Sequence, residues 1–440
     1  MMTKTDNDGL FRKNGVSFLL PFIMITTCFA MWGFANDVTN PMVKSYSTIF
    51  QMSVFESSFV QVAFYLGYFL MAFPAAMFIQ RYSFKAGVMV GLLLYAVGAL
   101  AFIPAKSTGI YYAFLLAYFV MTCGLSFLET SCNPYIYCMG GEETATQRLN
   151  FAQAFNPIGA VTGTVVAWLF VQQQLDPTPS SVRGQMMKHT PELFESIKDH
   201  DLSILIQPYV YIGIVAFLLL VVIYLTKMPK ASDTVTKKSI WKALGELVRI
   251  KNYREGVVAQ FFYVGAQVTC WTFIMHYGHQ LFCVQEGMAE KDATALSFRY
   301  YIIALVLFTV GRFVCTWFLK YIRPGRLLAI LAVMAMACVV GAILLTNIWG
   351  LYCLVAVSGC MSLMFPTIYG IALKGLGENV KFGGAGLIMS IIGGSVLPPV
   401  QAKIMDIGGE IGGMSVIHLS FVVPLVCFVV IALYGLRCKS

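Results

Sequence analysis

Twelve separate apolar runs, each long enough to cross a lipid bilayer as a helix, divide this chain of 440 residues. A helix rises about 1.5 Å per residue and the hydrocarbon core is about 30 Å thick, so roughly 20 apolar residues span it. Inside lipid each backbone N–H and C=O must be satisfied within the protein, which leaves the helix as the state open to such a run. The runs are 16–38, 55–79, 86–103, 110–138, 151–171, 204–226, 256–282, 293–319, 327–345, 348–373, 383–405 and 415–436. The chain is 58% hydrophobic and 12% charged, whereas soluble domains carry about 25% charged residues. The expectation is an all-α membrane protein with 12 transmembrane helices. The first run is too long for a cleavable signal peptide and is followed by WGFAND, which offers no small-residue cleavage site.

The net charge of +9 is read as topology. Lys and Arg concentrate in alternate connections, chiefly the N-terminus, Arg81 to Lys85, Arg148, the stretch from Lys227 to Arg254 and Arg312 to Arg326. Placing these on the cytoplasmic side puts both termini there and requires an even number of spans. The basic central stretch would then lie near anionic lipid and is not read as a nucleic-acid site. It separates the runs six and six. The expected domains are an N-terminal six-helix bundle over 1–229, a cytoplasmic linker over 230–252 and a C-terminal six-helix bundle over 253–440. On the outside, Gln172 to Ser203 reads as the largest loop, with a polar, helical-looking patch PELFESIKDHD as solvated surface. The 12 Cys are scattered, mostly inside apolar runs, with no metal spacing or disulfide framework. His276 and His279 lack further ligands and read as solvated or hydrogen-bonded. No Walker loop, GxSxG, HExxH or dinucleotide motif is present, so no enzyme activity, cofactor or metal is expected.

The polar residues inside the runs carry the chemistry. Glu129 sits in the middle of the fourth run, in CGLSFLETSCNP. An ionised side chain at a bilayer centre costs roughly 2.5–3.5 kcal/mol on insertion scales, so it needs a partner, water or a proton. Glu129 is therefore the candidate proton-handling group. Helical spacing aligns Trp32, Asn36 and Asn40 in the first run, with Asp37 turned about 100° from Asn36. Gln153 and Asn156 share a face in the fifth, and Tyr263, Gln267 and Trp271 stack over two turns of the seventh. Neutral amides donate to and accept from hydroxyls, and a flat ring covers the apolar face of a pyranose. The combination suits a sugar. Arg312, beside Gly311 at the end of the eighth run, reads as an orientation or gate charge and not a substrate ligand.

The two halves echo each other at offsets of roughly half the chain. Trp32 matches Trp271, Gly67 matches Gly311, NPYIY after Cys132 matches FPTIY after Met364, and Gly159 matches Gly394. This is the pattern of a duplicated six-helix unit, as in carriers whose halves alternate about a midplane site.

With these residues in view, the sequence resembles the L-fucose/proton symporter family of the major facilitator superfamily, which includes bacterial glucose/galactose permeases. The carrying strings are FAMWGFAND, FYLGYF, YSFKAG, CGLSFLETSCNP, RLNFAQAFNPIGA, AQFFYVGAQVTCW, GRFVCTW, FPTIYGIALKGLG and MSIIGGSVLPPV, spread over nearly the whole chain. The resemblance implies the major facilitator fold, two six-helix bundles with pseudo-two-fold symmetry. It implies proton-coupled uptake of L-fucose or a related hexose by alternating access, in a bacterial inner membrane, by a monomer. It implies Glu129 as the protonatable acid, Gln153 and Asn156 as sugar-site residues, and Tyr263, Gln267 and Trp271 as walls. One departure stands out. The family pattern has an acid at the end of the first-span motif, where this chain has Asn40, and the acid here is Asp37 on another helix face. Three readings follow: Glu129 couples alone, Asp37 substitutes, or the carrier is uncoupled or sodium-coupled.

Overall fold

The computed structural model describes residues 11–13, 16–39, 42–52, 56, 59–141, 143–178, 180–228, 240–405, 407–411 and 414–438. Among them, 12 helices are long and apolar enough to cross a membrane. In order they are Leu19–Thr39, Val62–Arg81, Phe84–Thr108, Tyr111–Cys138, Ala145–Val171 and Pro191–Leu225, then Lys251–Cys283, Ala295–Phe318, Pro324–Leu344, Ile348–Leu373, Val380–Met405 and Val416–Arg437. These are called the first to twelfth spans. Their lipid-facing sides stay apolar: Leu116, Tyr224 and Leu344 are each more than half exposed, as expected where the surrounding solvent is hydrocarbon.

The sixth span corrects the reading of the outer loop. PELFESIKDHD is helical and mostly exposed, but it is no loop: it forms the opening three turns of one 35-residue helix. Pro191 takes the first helical position, where its missing N–H is no loss, and Glu192 lies in the first turn, where the helix dipole favours an acid. Phe194 is buried beneath it. The helix is held from outside by a buried ionic knot. Arg183 Nη1 meets Asp201 Oδ2 at 2.7 Å, and Arg183 Nη2 donates to the Asp176 carbonyl at 2.8 Å. The Asp176 N–H in turn donates to Asp201 Oδ1 at 2.9 Å.

The described residues fall into two compact units. One gathers those of Met1–Leu19, Asn133–Ala154 and Ala231–Ser440, the other those of Leu20–Cys132 and Phe155–Lys230. In the second unit the first and fifth spans cross at glycines. A Cβ on Gly33 would sit 2.0 Å from the Asn156 carbonyl oxygen, and one on Gly159 would sit 1.8 Å from that of Ala30. The second and fourth spans meet where a Cβ on Gly67 would lie 2.5 Å from Thr122 Oγ1. Both contacts recur inside the first unit. Gly393 in the eleventh span approaches the Phe261 carbonyl of the seventh, and Gly311 in the eighth approaches Ser362 just past the middle of the tenth. The expected internal repeat is thus visible as equivalent helix crossings, with Gly393 making the contact beside the expected Gly394.

In the first unit the end of the fourth span is capped by Arg148, which is fully buried. Its Nε donates to the Ile136 carbonyl and its Nη2 to that of Tyr137. A guanidinium among the orphan carbonyls of a helix C-terminus satisfies them and complements the dipole, so Arg148 is more than an orientation charge. The residues 240–249 of the central stretch form a helix, Ile240–Arg249, with Ala243 and Leu247 buried and Glu246 accepting from Asn379 at 2.9 Å.

Candidate functional site

In the unit built on the first to sixth spans, both candidate acids are buried. Glu129 is 5% and Asp37 7% exposed. Glu129 lies one turn above the carbonyl-bonded Ser126, whose Oγ donates to the Tyr68 carbonyl at 3.1 Å. That bond holds the fourth span in register with the second, and the Tyr68 phenol is placed to donate to the Glu129 carboxyl. Asp37 faces Tyr65. No described residue forms a hydrogen bond or ion pair with Asp37, so its charge state is not fixed by a cation. Asn36, its neighbour in sequence, is exposed. Asn40 lies outside the described residues. Asn156 is half-buried and donates from Nδ2 to the Phe29 carbonyl at 3.2 Å, while Trp32 is buried with its ring against Phe29.

In the other unit the expected residues divide into held and open ones. Gln153 is buried, with Nε2 donating to Asn133 Oδ1 at 2.7 Å. Tyr263 is fully buried and donates to the Met361 carbonyl at 3.1 Å. Trp271 is half-buried. Its Nε1–H donates to Ser358 Oγ at 3.1 Å and its ring meets Phe308 edge-on at 4.9 Å. Gln267, one turn before it on the same helix face, is half-buried and makes no hydrogen bond to any described residue. Gln267 and Trp271 stand four residues apart on one helix face, an amide one turn from an indole.

Arg312 ties these residues together, which its place at the end of the eighth run did not suggest. It is 3% exposed, inside the helix and not in an interfacial loop. Its guanidinium donates from Nε to the Ser362 carbonyl and from Nη1 to the Gln153 carbonyl at 2.9 Å, and it lies 4.6 Å over the Phe308 ring. No described carboxylate pairs with it. An Arg stacked on one ring and shared between two carbonyls acts as a planar brace. The sequence carried no sign of Ser358 or Phe308 as partners, since neither stands in a polar stripe. Tyr65 and Tyr68 could have been found from their spacing of three in FYLGYF.

The apolar groove of about 340 Å³ lined by Met89, Val90, Leu93, Leu220, Val221 and Tyr224 offers a sugar almost no hydrogen-bonding group. No cluster of three or more His, Cys, Asp or Glu that could hold a metal occurs among the described residues, and His276 is exposed.

Comparison with known proteins agrees with this architecture. Residues 23–398 match the model of the Major Facilitator Superfamily. The chain is 45% identical to the L-fucose-proton symporter of Haemophilus influenzae, over 96% of each chain. It is 34% identical to the L-fucose-proton symporter of Escherichia coli, over 95% of this chain and 93% of that one. A crystal structure of a major facilitator transporter, FucP, in the outward conformation superposes with a TM-score of 0.85 at 31% identity, covering 96% of this chain and 100% of that one. A chain with 12 such spans, matched from end to end in sequence and in fold, belongs to the major facilitator superfamily and, within it, to the family of the L-fucose-proton symporters.

Proposed function

We propose that this protein is a secondary active sugar carrier that takes up L-fucose or a related hexose together with a proton, by alternating access. The observation that carries the proposal is the pair of buried carboxyls, Glu129 beside the Tyr68 phenol and Asp37 with no hydrogen bond or ion pair to a described residue. A carboxyl in such a place changes charge by taking or losing a proton, and that change is what a symporter couples to binding. Glu129 takes a proton from outside, the neutral site admits sugar at lower desolvation cost, and release to the cytoplasm resets it. Asp37 is the second proton-coupling group, in the role that Asn40 cannot fill. Gln267 and Trp271 hold the sugar directly, with Asn36, Asn40, Gln153, Asn156 and Tyr263 as the further substrate residues.

The same reading assigns 1–229 and 253–440 to two six-helix bundles joined by a cytoplasmic linker at 230–252. It places the protein in a bacterial inner membrane as a monomer with both termini cytoplasmic, working as a carrier and not as an enzyme. Support comes from the charge distribution and from relatives named as L-fucose-proton symporters. The test is sugar-induced proton uptake in vesicles. Glu129→Gln should abolish accumulation and the proton signal together. Accumulation at the wild-type level with an unchanged proton signal would sink the assignment. The displaced acid at Asn40 keeps a second reading in view, an uncoupled or sodium-coupled carrier. Uphill uptake that survives an uncoupler but collapses when sodium is replaced by choline would establish it.

A further inference from the structure

We propose that the groove between the third and sixth spans holds one acyl chain of an anionic phospholipid, with Lys85 at its end taking the lipid phosphate. This requires only that the chain be embedded in a bilayer, and it holds whatever the cargo.

Groove and cation share one residue. Met89, Val90 and Leu93 line the groove from the third span, and Leu220, Val221 and Tyr224 from the sixth. Leu93, Val221 and Tyr224 are exposed, so the groove opens on the lipid side. Lys85 stands one turn before Met89 on the third span. Its Nζ donates to the Tyr224 carbonyl at 3.1 Å and to that of Thr226 at 2.8 Å, which sets the ammonium against the last residue of the groove. These carbonyls close the sixth span, where a helix leaves its final C=O groups unpaired and favours a cation. An ammonium has three donors and no acceptor. Two are taken up here, and the third is left for an oxygen from a ligand. No Asp or Glu occurs between Glu56 and Glu129, nor between Asp201 and Asp233, so neither wall of the groove carries a carboxylate that neutralises the charge. Two more cations flank it. Arg81 ends the second span, exposed and 5.6 Å over the Tyr82 ring, and Lys227 follows Thr226, also exposed.

What fits is an apolar tail with an acid at one end. The lining runs about one turn along each helix, roughly 6 Å at 1.5 Å per residue, the reach of several methylenes. A tail gains no hydrophobic free energy by leaving bulk lipid for the groove, because other tails are as apolar as Leu. The headgroup therefore decides the occupant. A choline lipid brings its own cation toward Lys85, Arg81 and Lys227, whereas a glycerol lipid brings a phosphate and no cation. One Lys near the membrane surface attracts an anionic lipid strongly enough for about a fivefold preference. The phosphate oxygen accepts from the third Lys85 N–H, and the two carbonyls keep the other two.

The experiment reconstitutes the full chain in vesicles of phosphatidylcholine and phosphatidylglycerol. One or the other lipid carries a photoreactive diazirine at the same position of the same acyl chain, and labelled residues are mapped by peptide mass spectrometry. Labelling at 89–93 and 220–224 should be about fivefold higher from the glycerol lipid, while Leu116 and Leu344, exposed elsewhere, should show no such preference. Lys85→Gln should abolish the difference, and Lys85→Arg, which keeps the charge, should preserve it. Equal labelling by both lipids in wild type would mean that bulk lipid covers the groove, and would overturn the proposal. So would a preference that survives Lys85→Gln. Val221→Trp fills the groove with Lys85 left in place, and decides the matter if the glutamine variant does not fold: the preference at 89–93 should vanish, and its persistence would count against the groove. Inorganic phosphate, matched in ionic strength to a chloride control, should leave the preference intact. Selective loss in phosphate would make Lys85 a site for free anions and overturn the lipid assignment.

Discussion

Gln267 makes no hydrogen bond to a described residue, whereas Gln153 is buried and donates to Asn133 at 2.7 Å. The two side chains are chemically identical, and in the sequence each is an amide in an apolar run near an aromatic or a second amide. Their surroundings give them different tasks. Gln267→Ala should leave thermal stability in detergent nearly unchanged and raise the half-saturating sugar concentration by roughly fivefold to tenfold, the worth of about one net hydrogen bond. Gln153→Ala should instead lower stability by about 1 kcal/mol, because it removes the buried 2.7 Å hydrogen bond to Asn133. Thermal unfolding alongside sugar binding distinguishes the two, and equal stability loss in both would contradict the division. At this scale the polar groups inside the spans were legible from the sequence by their helical spacing. Which of them are braced was not. Bracing depends on Ser358, Ser362, Phe308 and Arg312, which lie 37 to 159 positions along the chain from the groups they meet.

Helices are the scale at which the sequence read best and failed once. The tenth span was expected at 348–373 and is found as Ile348–Leu373, because Asn347 caps it and Lys374 ends it. The sixth began 13 residues before its apolar run, because hydrophobicity marks where lipid begins and not where a helix begins. Arg183, only 2% exposed with Asp201 at 1%, explains why the polar turns are ordered. Arg183→Ala leaves the buried Asp201 carboxylate without its cation and should destabilise the protein by roughly 3–5 kcal/mol, seen as a lower melting temperature. The knot also has a pH signature. Hydrogen bonds from the Thr178 side chain and backbone N–H, aided by Arg183, hold the Asp176 carboxyl below the usual carboxylate range. A depressed folded-state value means that the contribution is complete above the ordinary value of about 4 and is lost as pH falls through the folded one. Melting temperature should therefore drop on acidification below about pH 4, and Asp176→Asn should make that drop shallower. A drop of the same depth in the variant would mean that Asp176 does not drive it.

For the molecule as a whole, the number of spans and the distribution of Lys and Arg make one joint claim. Twelve membrane-length helices among the described residues would return the chain to the side on which it began, and the proposed orientation puts the basic connections, and with them that side, in the cytoplasm. The residue pattern alone carried the number of spans because the bilayer imposes a single length and a single polarity rule on all twelve helices. It did not reveal the compact units, in which Asn133–Ala154 groups with the residues beyond Ala231, since short helix ends choose partners by side-chain fit and not by hydropathy. Two of the charges used for orientation, Arg148 and Arg312, are now assigned to buried hydrogen bonds. The topology must therefore stand on the remaining ones, such as Arg81, Lys320 and Arg326. Reporter fusions test it directly. A fluorescent protein that matures only in the cytoplasm, fused after Ser440, should fluoresce. A phosphatase active only outside should be active when inserted at Gly184, in the connection between the fifth and sixth spans, and inactive when inserted at Gly141, between the fourth and fifth. Because these two insertion points are separated by one span, a carrier with an even number of crossings cannot give the same signal at both. Activity at Gly141 would reverse the orientation, and with it the direction in which Glu129 meets its proton.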